Sequence, residues 1–173
     1  MKNKIITLLS SLILSFAFTI SCHAEGIGIL DTYENYLNKL QSVVIVDQNF
    51  LHPDTKVLIT KDFQSIHGQQ VKTTKLYFNK DVIVKADFEL ENPKAEKETL
   101  TEMKKDYTEK NSYKYKKQKV DEPGFIESIN EFENPFQTVT LIYHNSQSFG
   151  EKLTVEIIMD TKREVPLVEG TTI

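Results

Sequence analysis

Alternation of apolar and polar residues predicts β-strands along much of this chain. The clearest example is TTKLYFNKDVIVKADFEL (residues 73–90), where apolar side chains recur at every second position on both sides of an NKD turn. A second alternating pair flanks the turn NSQSFGE (145–151), and shorter apolar stretches lie at 42–47 and 56–63. Lysines and acids fill the intervening positions of the first pair, which predicts antiparallel hairpins in a sheet with one face open to solvent.

A period of three to four residues predicts two helices. The first is ILDTYENYLNKLQ (29–41), in which Asp31 and Glu34 are spaced as a capping box. The second is ENPKAEKETLTEMKKDYTEKN (91–111), where Asn92 is a suitable N-cap and the proline after it suits the first helical position. Its apolar stripe consists of Ala95, Leu100, Met103 and Tyr107. Because that stripe is narrow, we expect this helix to lie across the sheet with its outer side in water.

The order of helix, strands, helix and strands, with hairpins as the commonest connection, predicts an α+β fold. We expect a single antiparallel sheet of about six to seven strands, packed by one or two helices. The tail REVPLVEGTTI (163–173) contains a proline and a glycine, and we expect it to leave the sheet. The predicted core consists of Leu76, Phe78, Val84, Phe88, Leu100, Met103, Leu141, Val155 and Ile157.

Residues 1–24 have the pattern of a signal peptide. Lys2 and Lys4 give a short positive start, and the uncharged apolar run that follows (5–20) is short for a membrane span and leads into small and polar residues. We therefore expect an exported protein, periplasmic or secreted, with no stable membrane insertion after the leader is removed. Residues 25–173 are then enough for a single α+β domain with its own core.

Two cleavage sites compete at the end of the leader. Cleavage before Cys22 would make a lipoprotein anchored at that cysteine: Ser21 is suitably small for this route, but Thr19 is polar where a branched apolar residue is favoured. Ordinary cleavage needs small side chains at the last and third-last leader positions, which Ala24 and Cys22 supply. We favour cleavage after Ala24, which removes the only cysteine of the chain and leaves a mature protein without disulfides.

Composition and motifs narrow the classes of function. The formal charge is −4 at neutral pH and becomes more negative once the leader with its two lysines is removed, which argues against general nucleic-acid binding. The histidines after the leader, His52, His67 and His144, do not stand at metal-ligand spacing with one another. The sequence contains no nucleophile elbow, phosphate-binding glycine loop or calcium loop. We therefore predict no catalytic, metal or cofactor-binding residues and expect a protein that is not an enzyme.

Acidic and aromatic residues are concentrated in DEPGFIESINEFENPF (121–136), a segment without a clear period. Acids that surround phenylalanines can steer and then bind a basic protein. The alternative is a loop or short helix whose phenylalanines cap the sheet while its acids face water. The candidate partner-binding residues are Asp121, Glu122, Phe125, Glu127, Glu131, Phe132 and Glu133. Phe136 is a further aromatic residue of the segment but is not in this set.

The segment KNSYKYKKQK (110–119) alternates tyrosines with lysines. Such a run can bind an anionic polymer or lipid headgroups. It is also typical of an edge strand whose lysines discourage pairing with another sheet while its tyrosines pack inward, and we favour this second interpretation.

Two binding functions of different class fit these patterns, and an enzyme whose catalytic site the sequence does not reveal is the third alternative. The first is an exported, non-catalytic protein that binds a protein partner in the envelope, as an inhibitor or immunity-type partner of an envelope enzyme does. The second is a periplasmic carrier or sensor of a small apolar ligand or lipid, held between the sheet and its helices. A small acidic domain without catalytic motifs favours the first function.

Overall fold

The computed structural model describes residues 32–46 and 53–159. The predicted leader with both cleavage sites, His52 and the C-terminal tail lie outside the described residues. The helical elements are α1 (Tyr33–Lys39), a 3₁₀ turn (Pro93–Ala95), α2 (Glu96–Met103) and a π-helical segment (Lys104–Lys110) that continues α2. The strands are β1 (Val43–Ile45), β2 (Thr55–Thr60), β3 (Ser65–Ile66), β4 (Gln69–Asn79), β5 (Val82–Leu90), β6 (Lys114–Glu122), β7 (Phe125–Glu133), β8 (Gln137–Ser146) and β9 (Gly150–Met159).

Within the described residues, nine strands form a sheet in the order β1-β2-β4-β5-β9-β8-β7-β6, with β3 paired beside β4. Every pairing is antiparallel, and the pairing of β5 with β9 joins the two hairpins that the sequence predicts. The antiparallel α+β architecture is therefore confirmed. The expected number of six to seven strands is wrong, because β7 and the two-residue β3 escape the sequence pattern.

β7 escapes the pattern because its inward positions are not uniformly apolar. Ser128 and Asn130 lie on the same side of the strand as Phe132 and are 5% and 0% exposed. Their polar groups find partners nearby, since Tyr115 donates to Asn130 Oδ1 over 2.8 Å and Asn130 donates to Ser128 Oγ over 3.3 Å. Buried polar side chains are tolerated when they are hydrogen-bonded, so a strand forms here without apolar alternation.

Both helices pack on the same face of the sheet, which we call the helix face. At α1, the rings of Tyr33 and Tyr36 meet the ring of Phe78 edge-on, with centroids 5.4 and 5.7 Å apart. At the end of α2, Met103 is fully buried. Seven of the predicted core residues belong to this single apolar cluster, namely Leu76, Phe78, Phe88, Met103, Leu141, Val155 and Ile157.

The N-cap of α1 and the buried residues of α2 differ from the predicted ones by a residue or two. Thr32 caps α1, because its Oγ1 accepts a hydrogen bond from the backbone N–H of Asn35 over 3.3 Å. In α2, Thr99 is fully buried as well as Met103, and the Thr99 hydroxyl donates to the carbonyl of Ala95 over 2.7 Å. Leu100 is only half-buried at the margin of the core. A threonine that bonds its own helix can therefore occupy a place that apolar periodicity assigns to leucine.

The strand β5 contains a bulge that shifts its pairing by one residue. Tyr77 pairs with Lys85, whereas the next residue, Phe78, pairs with Ile83. Val84 is the extra residue of the bulge; it is buried but lies outside the main core cluster. Strict alternation placed Val84 in the predicted core. That prediction fails because the bulge adds one residue to β5 that has no partner on β4.

The face opposite the helices carries no helix in the part of the chain that the structure describes, and we call it the open face. Lysines and acids fill it, as the alternation in β4 and β5 predicts. One row across five strands consists of Lys75, Asp87, Glu156, Thr140 and Glu131. Among the described strands, β6 lies at the end of the sheet, pairs with β7 alone and exposes its lysines, as expected of an edge strand.

Candidate functional site

The centre of the open face holds a half-buried ionic network. Tyr77 donates a hydrogen bond to Asp87 Oδ2 over 2.9 Å. Lys85 Nζ lies 3.3 Å from Asp87 Oδ1 and also pairs with Glu156. The side chains of Lys85, Asp87 and Glu156 are each 19% exposed. These groups are shielded largely by one another, because no helix covers them in the described structure.

This network holds its members in defined charge states. Burial raises the pKa of Tyr77 far above its usual range, and the nearby carboxylate of Asp87 raises it further. Burial alone would lower the pKa of Lys85, but Asp87 and Glu156 reverse that effect and raise the pKa overall. The network therefore contains a charged lysine between two acids and a protonated tyrosine.

A second ionic cluster lies beside the first. Glu89 accepts a hydrogen bond from Lys72 over 2.7 Å, and Lys152 Nζ lies 3.0 Å from its other carboxylate oxygen. Burial would raise the pKa of Glu89, but the two lysines outweigh burial and lower it. Glu89 is therefore an acid whose charge is already matched within the fold.

A shallow depression of about 210 Å³ lies between these clusters and β7. Thr154 lies near its centre, between Glu89 on β5 and Ile142 on β8. On the β4 side it is lined by Lys75, whose ammonium has no carboxylate within 4.0 Å in the described part of the chain. On the β7 side it is lined by Glu127 and by the adjacent His144 of β8.

A different surface forms where two hairpin turns meet. The β6–β7 turn and the β8–β9 turn lie side by side, because the N–H of Gln147 donates to the carbonyl of Gly124 over 3.2 Å. Gly124 has φ +80°, and a Cβ there would lie 3.2 Å from the Gln147 side chain. Only glycine adopts this conformation easily and leaves room for the second turn. The two turns are thus held together as one unit.

This unit presents an exposed aromatic side chain. Phe149, in the β8–β9 turn, is 70% exposed. The ring of Phe125, at the start of β7, packs edge-on against His144 with centroids 5.1 Å apart. Glu122 and Glu151 lie beside the two turns, and neither forms an ion pair with any described residue. We call Glu122, Phe125, Phe149 and Glu151 the hairpin-tip surface.

The structure divides the predicted acidic and aromatic cluster. Asp121 and Glu122 end β6 at the hairpin tip, next to Phe125, and Asp121 accepts a hydrogen bond from Lys119 over 2.7 Å. Phe132 is fully buried on the helix face, between the rings of Tyr107 and Tyr115. Phe132 is therefore a core residue in this fold and is not available at the surface.

The remaining predicted acids lie on the open face of β7. Lys116 donates to Glu131 over 3.2 Å and to Glu133 over 2.9 Å, and the latter bond lowers the pKa of Glu133. Glu127 lies 3.9 Å from His144 Nδ1. Phe136 is 72% exposed but lies at the opposite end of β8 from the hairpin tip. Whether any of these acids binds a partner stays a prediction.

Phe149 and Glu151 were missed by the sequence analysis. The turn SQSFGE contains a phenylalanine between a serine and a glycine. Nothing in the geometry of a hairpin turn requires an aromatic residue there. That mismatch between residue type and local structure is the signal that could have identified the position.

His67 occupies a buried polar site on the helix face. Its side chain is 1% exposed, and its Nε2 lies 3.1 Å from the hydroxyl of Tyr107. Its Nδ1 lies 3.7 Å from Asp106 Oδ2. These contacts join the β3–β4 turn to the π-helical segment. Because the imidazole is closed off from solvent, this arrangement favours the predicted structural role for His67.

Comparison with protein-family models, curated proteins and solved structures found no match. None of the described helices has the length and apolar character needed to cross a membrane. Across residues 32–46 and 53–159, no three histidine, cysteine, aspartate or glutamate side chains are arranged to hold a metal ion.

Proposed function

We propose that this chain is an exported, non-catalytic binding protein that recognises a protein partner through its hairpin-tip surface. The observation that carries this proposal is the 70% exposure of Phe149 on a turn that is hydrogen-bonded to the neighbouring turn. A large exposed aromatic side chain adds little to the stability of its own fold, whereas buried aromatic anchors dominate protein interfaces. Phe149 is therefore proposed as the anchor.

The backbone around the anchor is already ordered, which lowers the entropic cost of binding. Phe149 N–H donates to Ser146 Oγ over 3.1 Å, and Gln147 is tied to Gly124. Binding through an already ordered turn loses little conformational entropy. The same logic makes rigid aromatic residues on ordered loops effective in natural binding surfaces.

The charges around the anchor define the chemistry of the partner. Glu122 and Glu151 have no ion-pair partner among the described residues, so their carboxylates remain available to a second molecule. A basic surface surrounding an apolar pocket would match them, and opposite charges accelerate association. An inhibitor or immunity-type protein facing the basic cleft of an envelope enzyme would make this type of contact.

Two exposed phenylalanines at opposite ends of β8 give a matched test. Phe149→Ser removes the proposed anchor, whereas Phe136→Ser removes an equally exposed ring (72%) from the opposite end of β8. Tagged protein carrying each change is used to capture partners from the envelope fraction of the source cells, and the affinity of a recovered partner is then measured with purified proteins. We expect Phe149→Ser to weaken binding by about 30-fold or more, as for an interface hot spot, and Phe136→Ser to leave binding intact. Equal binding by both variants would contradict the proposal.

The alternative of an apolar-ligand carrier receives less support. Its ligand was expected between the sheet and the helices. Phe78, Phe88 and Phe132 are fully buried in that region, so the chain's own side chains fill the space. A protein partner at the surface needs no such cavity.

A further inference from the structure

We infer that the depression on the open face is a second binding site, which takes a dipeptide-sized zwitterion made of small residues. This inference does not depend on docking at the hairpin tip. It rests on three features of the described residues: a lysine without an ion pair on one side, an acid with free acceptor capacity on the other, and a shallow floor centred on Thr154 between them.

Lys75 supplies the anion-binding side. Its side chain is half-buried, and no carboxylate lies within 4.0 Å of its ammonium in the described structure. Its neighbour across the sheet, Asp87, is already engaged by Tyr77 and Lys85. A ligand carboxylate placed beside Lys75 would therefore meet a cation with no competing partner, which is a strong type of polar contact.

Glu127 supplies the cation-binding side. Its carboxylate is 3.9 Å from His144 Nδ1, too long for a hydrogen bond, and its side chain is 28% exposed. Its carboxylate oxygens can therefore accept hydrogen bonds from a ligand ammonium group. The other acids of the depression are occupied: Glu156 by Lys85, and Glu89 by two lysines.

The spacing of the two sides sets the length of the ligand. Lys75 is on β4 and Glu127 is on β7, four strand spacings away, which is roughly 19 Å across the sheet. The pairing register places Lys75 in the row of Glu131, and Glu127 lies four residues further along β7, roughly 13 Å, so the two backbones are roughly 23 Å apart. Both side chains line the same depression, so each extends into that gap. A free α-amino acid carries its two charges too close together to bridge them. With both side chains extended toward the ligand, they cover roughly 10 Å of that distance, and a hydrogen bond at each end of the ligand covers roughly 3 Å more. The remaining distance of roughly 7 Å is the separation of the terminal charges of two extended residues.

The size of the depression sets the same limit. Its volume is about 210 Å³. A buried cavity of roughly 150 Å³ accommodates benzene, so this depression suits about nine non-hydrogen atoms, the number in diglycine. Thr73 and Thr154 add hydroxyl groups that can donate to or accept from a peptide group. Larger side chains would have to extend into solvent.

Three related ligands test the two charges separately. The purified protein is titrated with diglycine, N-acetyl-diglycine and diglycine amide, and backbone amide chemical shifts are followed by NMR. We expect diglycine to shift the amides of β9 and β8 around the depression. Removing either terminal charge should weaken binding by about tenfold or more, as expected for the loss of a charge-assisted contact. Equal affinity for all three compounds would overturn the inference.

Single substitutions assign each charge to its side chain. Lys75→Met should abolish the advantage of diglycine over diglycine amide, and Glu127→Gln should abolish its advantage over N-acetyl-diglycine. Lys117→Met is the matched control, since Lys117 is exposed on the edge strand and has no ion pair with a described residue. Well-dispersed amide spectra establish that each variant is folded. Absence of diglycine-dependent shifts in the unmodified protein, or equal loss of binding in the control, would also overturn the inference.

Discussion

The two faces of the sheet are both shielded from water, but by different means. On the helix face, Leu141 and Val155 are fully buried beneath other elements of the fold. On the open face of the same strands, Lys85, Asp87 and Glu156 remain only 19% exposed although no helix covers them in the described structure. The helix face is buried by apolar contact, whereas the open face is buried by paired charges that screen one another.

This difference determines how each face responds to a change. An apolar core loses free energy in proportion to the contacts removed and the cavity left behind. A half-buried ionic network loses free energy when one member is removed, because its partners are left partly desolvated without a counter-charge. Removing the whole network can cost much less than removing one member. The open face is therefore expected to contribute less to stability than the helix face.

The largest expected effect is on the helix face. Leu141→Ala should lower the free energy of unfolding by about 2–5 kcal/mol, because the fully buried side chain leaves a cavity. Urea unfolding measures the change. The matched control is Ile142→Ala, since Ile142 is the next residue of β8 and lies half-buried on the open face. An equal loss in both variants would mean that the two faces are not distinct in packing.

An intermediate effect is expected at the centre of the open face. Lys85→Met should lower the free energy of unfolding by roughly 1–3 kcal/mol, since Asp87 and Glu156 would lose their shared counter-charge. Adding Asp87→Asn and Glu156→Gln to the same protein should recover most of that loss. A triple variant less stable than Lys85→Met alone would show that direct packing, not charge pairing, dominates this face.

The open face should also be the part of the fold that weakens in alkali. The pKa of Tyr77 is raised in the folded state, so the unfolded chain loses this proton first as the pH rises above about 10. The stabilisation is complete below that pH and is lost progressively above it. Tyr77→Phe should therefore flatten the decline of unfolding free energy between about pH 9 and 11, measured by urea unfolding. Leu141→Ala should lower the unfolding free energy equally at every pH, so that its decline with pH is as steep as in the unmodified protein.

The contrast between the faces also explains what the sequence could predict. The hairpins β4–β5 and β8–β9 were predictable because apolar and charged residues alternate cleanly along them. β7 was not, because hydrogen-bonded Ser128 and Asn130 replace apolar residues at its inward positions. The position of Phe149 next to the β6–β7 turn was not predictable either, since it depends on the contact of two turns distant in sequence. The alternation of apolar and polar residues indicates on which face of the sheet a side chain lies, but it does not indicate which strands pair with each other.

The smallest effect is expected at the margin of the open face, where the ion pairs are exposed. Glu131 and Glu133 share Lys116, whose side chain is 57% exposed. Exposed ion pairs contribute little because water and salt screen them. Replacing both acids by glutamine should leave the melting temperature nearly unchanged, as should Lys116→Met. If the double variant melted as early as Lys85→Met, the ionic network would extend to the sheet edge and the open face would be stabilised as one unit. A negligible change would limit the stabilising network to the central strands, and normal partner binding by the double variant would show that Glu131 and Glu133 are not part of the partner-binding surface.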